Sequence, residues 1–246
     1  MVRELAPKGL SVRQPSPLRC SWTARRLQPI RFITHSHRAT AIAVRHGWLP
    51  GARYTNLRDI KRFDEIGFLD IDWEQYDFCR HLSAVKAVQP WTTVAQDIQD
   101  RRSLERIVDQ AWELAQHVRY VVVVPKISLS ANDLEQLIPE EFLLGYSVPT
   151  RYGQTRLRPG YFKRPVHLLG GRPDVQRRLA ESMDVFSFDC NRFTLDAQFG
   201  DYFDGETFRP HPIGGYDRCI VDSVKNINRM WNSYKKGHAH GTERRR

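Results

Sequence analysis

Eight short apolar runs of β type, separated by segments of helical pattern, constrain this chain more than any other feature. They are Ile30 to Thr34, a weaker one at Gly51 to Thr55, Gly67 to Asp72, Thr92 to Asp97, Arg119 to Lys126, Leu143 to Val148, Pro165 to Gly170 and Asp184 to Asp189. Strands joined by helices return to the same end of a sheet and pair in parallel. Helical spacing is clearest over Ser103 to His117, where Leu104, Ile107, Val108, Ala111, Leu114 and Ala115 share a face behind a Ser103 cap. Further helices are expected at Trp73 to Val88, Ala131 to Leu137, Asp174 to Ser182 and Tyr216 to Tyr234. Eight strands with their helices within about 200 residues fit an α/β fold of compact TIM (β/α)8 type. An open doubly wound sheet is the alternative, but no Gly-x-Gly-x-x-Gly follows an early strand.

A hydrophobic content of 41% over 246 residues supplies a sizeable core, and no apolar run reaches the length of a bilayer span. No membrane association is expected. The formal net charge of +10 is concentrated at the ends. Residues 1–29 carry six Lys/Arg against one Glu and residues 235–246 carry five against one, so the body between is almost neutral. The expected organisation is a basic flexible tail (1–29), a barrel (30–234) and a second basic tail (235–246). Such arms either solubilise the chain or attract phosphates. The four cysteines, Cys20, Cys79, Cys190 and Cys219, form no Cys-x-x-Cys pair, which argues against structural zinc and for a reducing, cytoplasmic compartment. No metal or other cofactor is expected.

In a barrel the strand C-termini face one pocket, which here gathers Asp70 or Asp72, Asp97, Lys126, the Ser147 to Arg151 segment, Gly170, Gly171 and Asp189. An Asp at such a place often serves only as a helix cap. Asp72 is the better cap for the helix expected after it, which leaves Asp70 facing the barrel mouth or its core. If Asn191 caps the next helix, Asp189 is free in the same way. The Gly170–Gly171 pair before Pro173 makes either a tight turn or a cradle for an anion or flat ring. Lys126, closing a strand of four valines, is expected at the pocket.

These residues resemble a known family. "VVVVPK", "IPEEFLLGYSVPTRYG", "RPVHLLGG" followed by Pro173, and a strand ending in "FDCN" are similar to the tRNA-guanine transglycosylase superfamily. They are closest to its small, phage-type branch associated with inserting deazaguanines into DNA. The likeness runs over about residues 67–195, half the chain. It implies that Asp189 is the nucleophile and Asp70 its partner acid/base, with Asp97 facing the purine edge. It places base contacts on Ser147, Val148 and nearby backbone, and Gly170 under the base. Lys126 stands near the family's Gln-Gly, and the cysteine-rich zinc motif that follows the nucleophile in the tRNA enzymes is missing. Tyr146, Tyr152 or Phe188 could offer a stacking surface.

The implied activity is exchange of guanine in nucleic acid, DNA in preference to tRNA, for a 7-deazaguanine base through a covalent Asp–sugar intermediate. The partners are then a nucleic acid, the incoming base and conceivably a second protein. Two rivals use the same features: a nucleoside or glycoside hydrolase, and a nucleic-acid-binding subunit that has lost chemistry. Deleting residues 1–28 should weaken nucleic-acid binding and flatten its salt dependence, as measured by titrations across a salt series. An unchanged slope would exclude phosphate attraction by the N-terminal arm.

Overall fold

The computed structural model describes residues 28–150 and 154–234. The chain forms β1 (Ile30–Thr34), α1 (His37–Val44), β2 (Leu49–Arg53), β3 (Phe68–Asp70), α2 (Phe78–Val88), β4 (Thr92–Val94), α3 (Leu104–Ala115) and β5 (Tyr120–Val123). It continues with α4 (Ala131–Leu137), β6 (Leu143–Ser147), β7 (Val166–Leu169), α5 (Pro173–Leu179) and β8 (Val185–Asp189). Then come α6 (Arg192–Ala197), β9 (Asp201–Phe203), β10 (Phe208–Pro210) and α7 (Tyr216–Asn232). Strands β1 to β8 pair in sequence order, all parallel, and β8 pairs back to β1 through Ile30 with Ser187 and Phe32 with Asp189. This is a closed α/β barrel of TIM type, as the alternation predicts.

Several boundaries differ from the sequence expectation for identifiable reasons. The helix expected from Trp73 begins at Phe78, because Asp77 is the cap and accepts the Arg80 N–H at 3.0 Å. Asp72 instead takes the Gln75 N–H within a loop. Ser103 does not cap α3. Asp100 does the capping one turn earlier, accepting the N–H groups of Arg102 and Ser103 and starting a 3₁₀ turn that leads into the helix. The connections after β2 and β6 carry only 3₁₀ turns among the described residues, Arg58–Ile60 and Pro159–Tyr161. Helix α1 and the antiparallel β9–β10 hairpin were not anticipated. The two basic tails fall on residues 1–27 and 235–246, which lie outside the described residues.

Helix α7 covers the seam where the barrel closes. Trp231 stacks on Phe188 of β8 with centroids 4.6 Å apart, and Asn228 accepts the Trp48 indole N–H at 2.8 Å while donating to the His46 carbonyl. The interior is packed with rings from non-adjacent strands: Phe32 of β1, Phe68 of β3 and His167 of β7. Gly145 of β6 is where this filling leaves no room. A Cβ there would lie 2.6 Å from Val124 Cγ2 and 2.8 Å from Val122 Cγ1. Gly145→Ala is therefore expected to overpack the barrel and destabilise it by about 1–3 kcal/mol, read as a lowered urea midpoint at unchanged slope.

Candidate active site at the carboxyl ends of the strands

A cavity of about 840 Å³ opens at the C-terminal ends of the strands. Alternation along the strands sets its lining. Asp70 and Asp189 are each the last residue of a strand, two positions beyond Phe68 and Ser187 on the same face. Asp70, Asp97, Lys126, Ser147, Val148, Gly170 and Asp189 all border the cavity. Asp72, the other carboxylate of that loop, does not line it. Tyr152 lies outside the described residues.

Asp189 is 6% exposed. Its Oδ1 accepts the Gly170 N–H at 2.8 Å. Gln176 on α5 ties this corner together, its Nε2 donating to the carbonyls of both Gly170 and Asp189 at 2.7 Å. Asn191 makes no side-chain cap to α6, so Asp189 is kept out of a capping role by Gly170 rather than by Asn191. Gly171 has φ +86°, and a Cβ there would sit 2.3 Å from Val148 Cγ1, so the loops after β6 and β7 touch backbone to side chain. Pro173 opens α5, as its position predicts.

Asp70 Oδ1 accepts the Ile71 N–H at 2.9 Å. Its carboxyl is pushed up to about 7, first by burial and then by the charge of Asp189, against smaller opposing effects of the Ile71 N–H and Arg53. The two carboxylates thus feel each other across the mouth. Asp97 lies 2.7 Å from Lys126 Nζ, and burial raises its carboxyl above the usual range although Lys126 works against this. The sequence reading treated these two as separate contacts, whereas the fold joins them as an ion pair between the ends of β4 and β5.

Other expectations change. The backbone of Ser147 is occupied by Thr155, which receives its N–H at 2.9 Å and donates to its carbonyl, and Val148 N–H goes to the Leu169 carbonyl. Both backbone groups of Ser147 and the Val148 N–H are therefore taken up within the fold. Tyr146 is buried against Phe162, and Phe188 is fully buried between Trp48 and Trp231, so neither offers a stacking face. Among the described residues Trp73, 44% exposed on the β3–α2 loop, borders the cavity. Sequence reasoning placed it inside a helix and missed it. His167, directly behind Asp189, was also missed; a lone polar residue in an apolar strand two positions before Leu169 was the available signal.

Among the described residues no group of three His, Cys, Asp or Glu could hold a metal ion, and no helix is long and apolar enough to cross a membrane. Cys79, Cys190 and Cys219 are free thiols, and burial pushes Cys190 up to about 12.

A family model matches residues 43–232. The chain belongs to DUF6610, a family of unknown function. No curated protein matches this DUF6610 chain. Among solved structures it is similar to the YdjI aldolase from Escherichia coli K12, with a TM-score of 0.52 and 9% identity over 87% of this chain and 94% of that one. At that identity the likeness concerns the barrel fold alone.

The raised Asp70 carboxyl carries a stability consequence. Unfolded, the group loses its proton near its ordinary value of 3.8, and folded it keeps the proton up to about 7. Between these values only the folded state holds the proton, so stability from this group falls as pH rises through the window. Asp70→Asn, which keeps the acceptor for Ile71, should match wild type near pH 4 and exceed it near pH 8 in urea midpoint. A constant difference across that range would exclude the raised carboxyl.

Proposed function

We propose that this chain exchanges a guanine base in nucleic acid, DNA in preference to tRNA, for a 7-deazaguanine base through a covalent Asp189–sugar intermediate. The observation that carries the reading is a pair of carboxylates at one barrel mouth, Asp189 buried and fixed by the Gly170 N–H, and Asp70 half-buried and raised to about 7 by desolvation and by Asp189. Two carboxyls in such unequal environments divide a nucleophile's role from a proton carrier's. Asp189 attacks the anomeric carbon as the base leaves. Asp70 supplies the proton to the departing base and takes one from the incoming base, a task suited to a group that titrates near neutrality. Two displacements at one carbon give retention, as in retaining glycosidases.

The remaining polar lining suits a lactam edge. Lys126 is a donor beside Asp97, an acceptor, and guanine presents a carbonyl oxygen next to a ring N–H. Cytosine and adenine present the reverse order at that edge, so the ion pair disfavours them. Trp73 at the rim offers a face on which an extruded base can stack. The preference for DNA rests on the resemblance to the small deazaguanine branch and on the missing cysteine-rich motif.

A hydrolase would use the same two carboxylates, and label tells the two apart. The protein is incubated with duplex DNA and with tRNA, each carrying labelled guanine, with and without a cyano-deazaguanine base. Loss of label matched by incorporation of the added base supports exchange, whereas release without incorporation indicates hydrolysis. Asp189→Asn should lower exchange by at least about a thousandfold while leaving thermal unfolding close to wild type. Full activity of that variant, with deamidation excluded by mass, would remove Asp189 as nucleophile.

A further inference from the structure

Beneath the cavity floor, and outside its lining, the barrel interior holds an imidazole. His167 is fully buried, with its ring nearly parallel to Phe68 at 5.0 Å between centroids and tilted on Phe32 at 5.8 Å. Its Nδ1 lies 2.8 Å from Oγ of Ser187, its register partner on β8. Its Nε2 makes no hydrogen bond of good geometry and lies 3.4 Å from Asp189 Oδ1. A buried polar nitrogen left without a partner carries a desolvation cost.

The tautomer follows from the neighbours. If Nδ1 carried the proton and gave it to Ser187, the Nε2 lone pair would face a carboxylate oxygen in a low-dielectric interior, where repulsion is strong. If the Ser187 hydroxyl donates to Nδ1, the ring proton sits on Nε2 and points at Asp189. The second arrangement satisfies more groups. At 3.4 Å the contact is longer than a formed hydrogen bond, and catalytic contacts of this kind tighten when a ligand binds.

Resting on the base-exchange reading, we propose that His167 is a positioning residue for Asp189, its Nε2–H joining the Gly170 N–H on Oδ1 so that Oδ2 is the oxygen that bonds the sugar. In the first half-reaction the Oδ2–C1′ bond forms as the C1′–N bond to guanine breaks, with the electron pair leaving on the base and the Asp70 proton following it. Oδ1 is then an ester carbonyl oxygen carrying little charge. In the second, the incoming base passes its ring N–H proton to Asp70, its nitrogen bonds C1′, and the Oδ2–C1′ pair returns to Asp189. Donors on Oδ1 favour the charged carboxylate over the neutral ester. His167 therefore acts most on resolution of the adduct, and its loss makes the adduct accumulate.

The test uses the full chain with two variants: His167→Leu combined with Ser187→Ala, which leaves no orphaned hydroxyl, and His167→Gln, whose amide retains a donor. Thermal unfolding confirms that both fold. With labelled-guanine DNA or tRNA, the double variant should lose about tenfold in turnover and gain severalfold in acid-quenched covalent adduct, with KM changed little and His167→Gln recovering part of the loss. Wild-type turnover and adduct level in the folded double variant would overturn the proposal. If the wild-type protein exchanges no base, the functional reading fails, and the contact is decided by the Asp70 titration followed by carbon NMR of labelled aspartate. Arg53 and Asp97, the other charges acting on Asp70, are unchanged in the double variant. Without the imidazole donor Asp70 feels more of the Asp189 charge and its titration moves up. A titration that stays in place would equally overturn the proposal.

Discussion

The ladder between β1 and β8 is the contact on which everything else in this molecule rests. By pairing Phe32 with Asp189 and Ile30 with Ser187 it turns eight parallel strands into a cylinder, and it brings a strand from the start of the chain beside one from near its end. Parallel closure sends all eight carboxyl ends to one rim. Asp70 and Asp189, more than a hundred residues apart in sequence, share a cavity for that reason. Helix α7 protects the seam with Trp231 on Phe188 and Asn228 on Trp48, so the last helix of the described chain secures the first strand pair.

Placing two carboxylates in one enclosed mouth opposes folding, and the surroundings show how the cost is contained. Asp189 receives a backbone donor, its own carbonyl is held by Gln176, and that same amide holds the Gly170 carbonyl. Asp70 is relieved by keeping a proton. Asp97 is relieved by Lys126. Three acidic side chains are accommodated in three ways, and Asp70 is the one whose carboxyl is pushed up to about 7. That division supports assigning them different chemical tasks.

The barrel was legible because periodicity and strand–helix alternation are local signals, and the residues at strand ends follow from the fold by geometry alone. Asp70, Asp97, Lys126, Ser147, Val148, Gly170 and Asp189 could be gathered in this way. What escaped depended on contacts between distant segments or on competing caps. Asp72 and Asp77 are both good caps, and only the folded loop shows that Asp77 is used, which frees Trp73 for the rim. Tyr146 and Phe188 look as suitable as Trp73 for stacking, but strand parity and the helices outside turn them away. The Asp97–Lys126 pair and the placement of His167 behind Asp189 join neighbouring strands in ways no single segment reveals.

The exchange of hydrogen bonds between Ser147 and Thr155, together with the seat of Val148 against Gly171, anchors both feet of the excursion between them on the barrel. Closing entropy grows only slowly with the length of such an excursion. Pro149 and Thr150, between these two anchors, border the cavity, and insertions or deletions beside them leave the strands where they are. One wall of the cavity can thus change in length and composition while the acidic pair below stays in register, because the two are held by separate parts of the molecule.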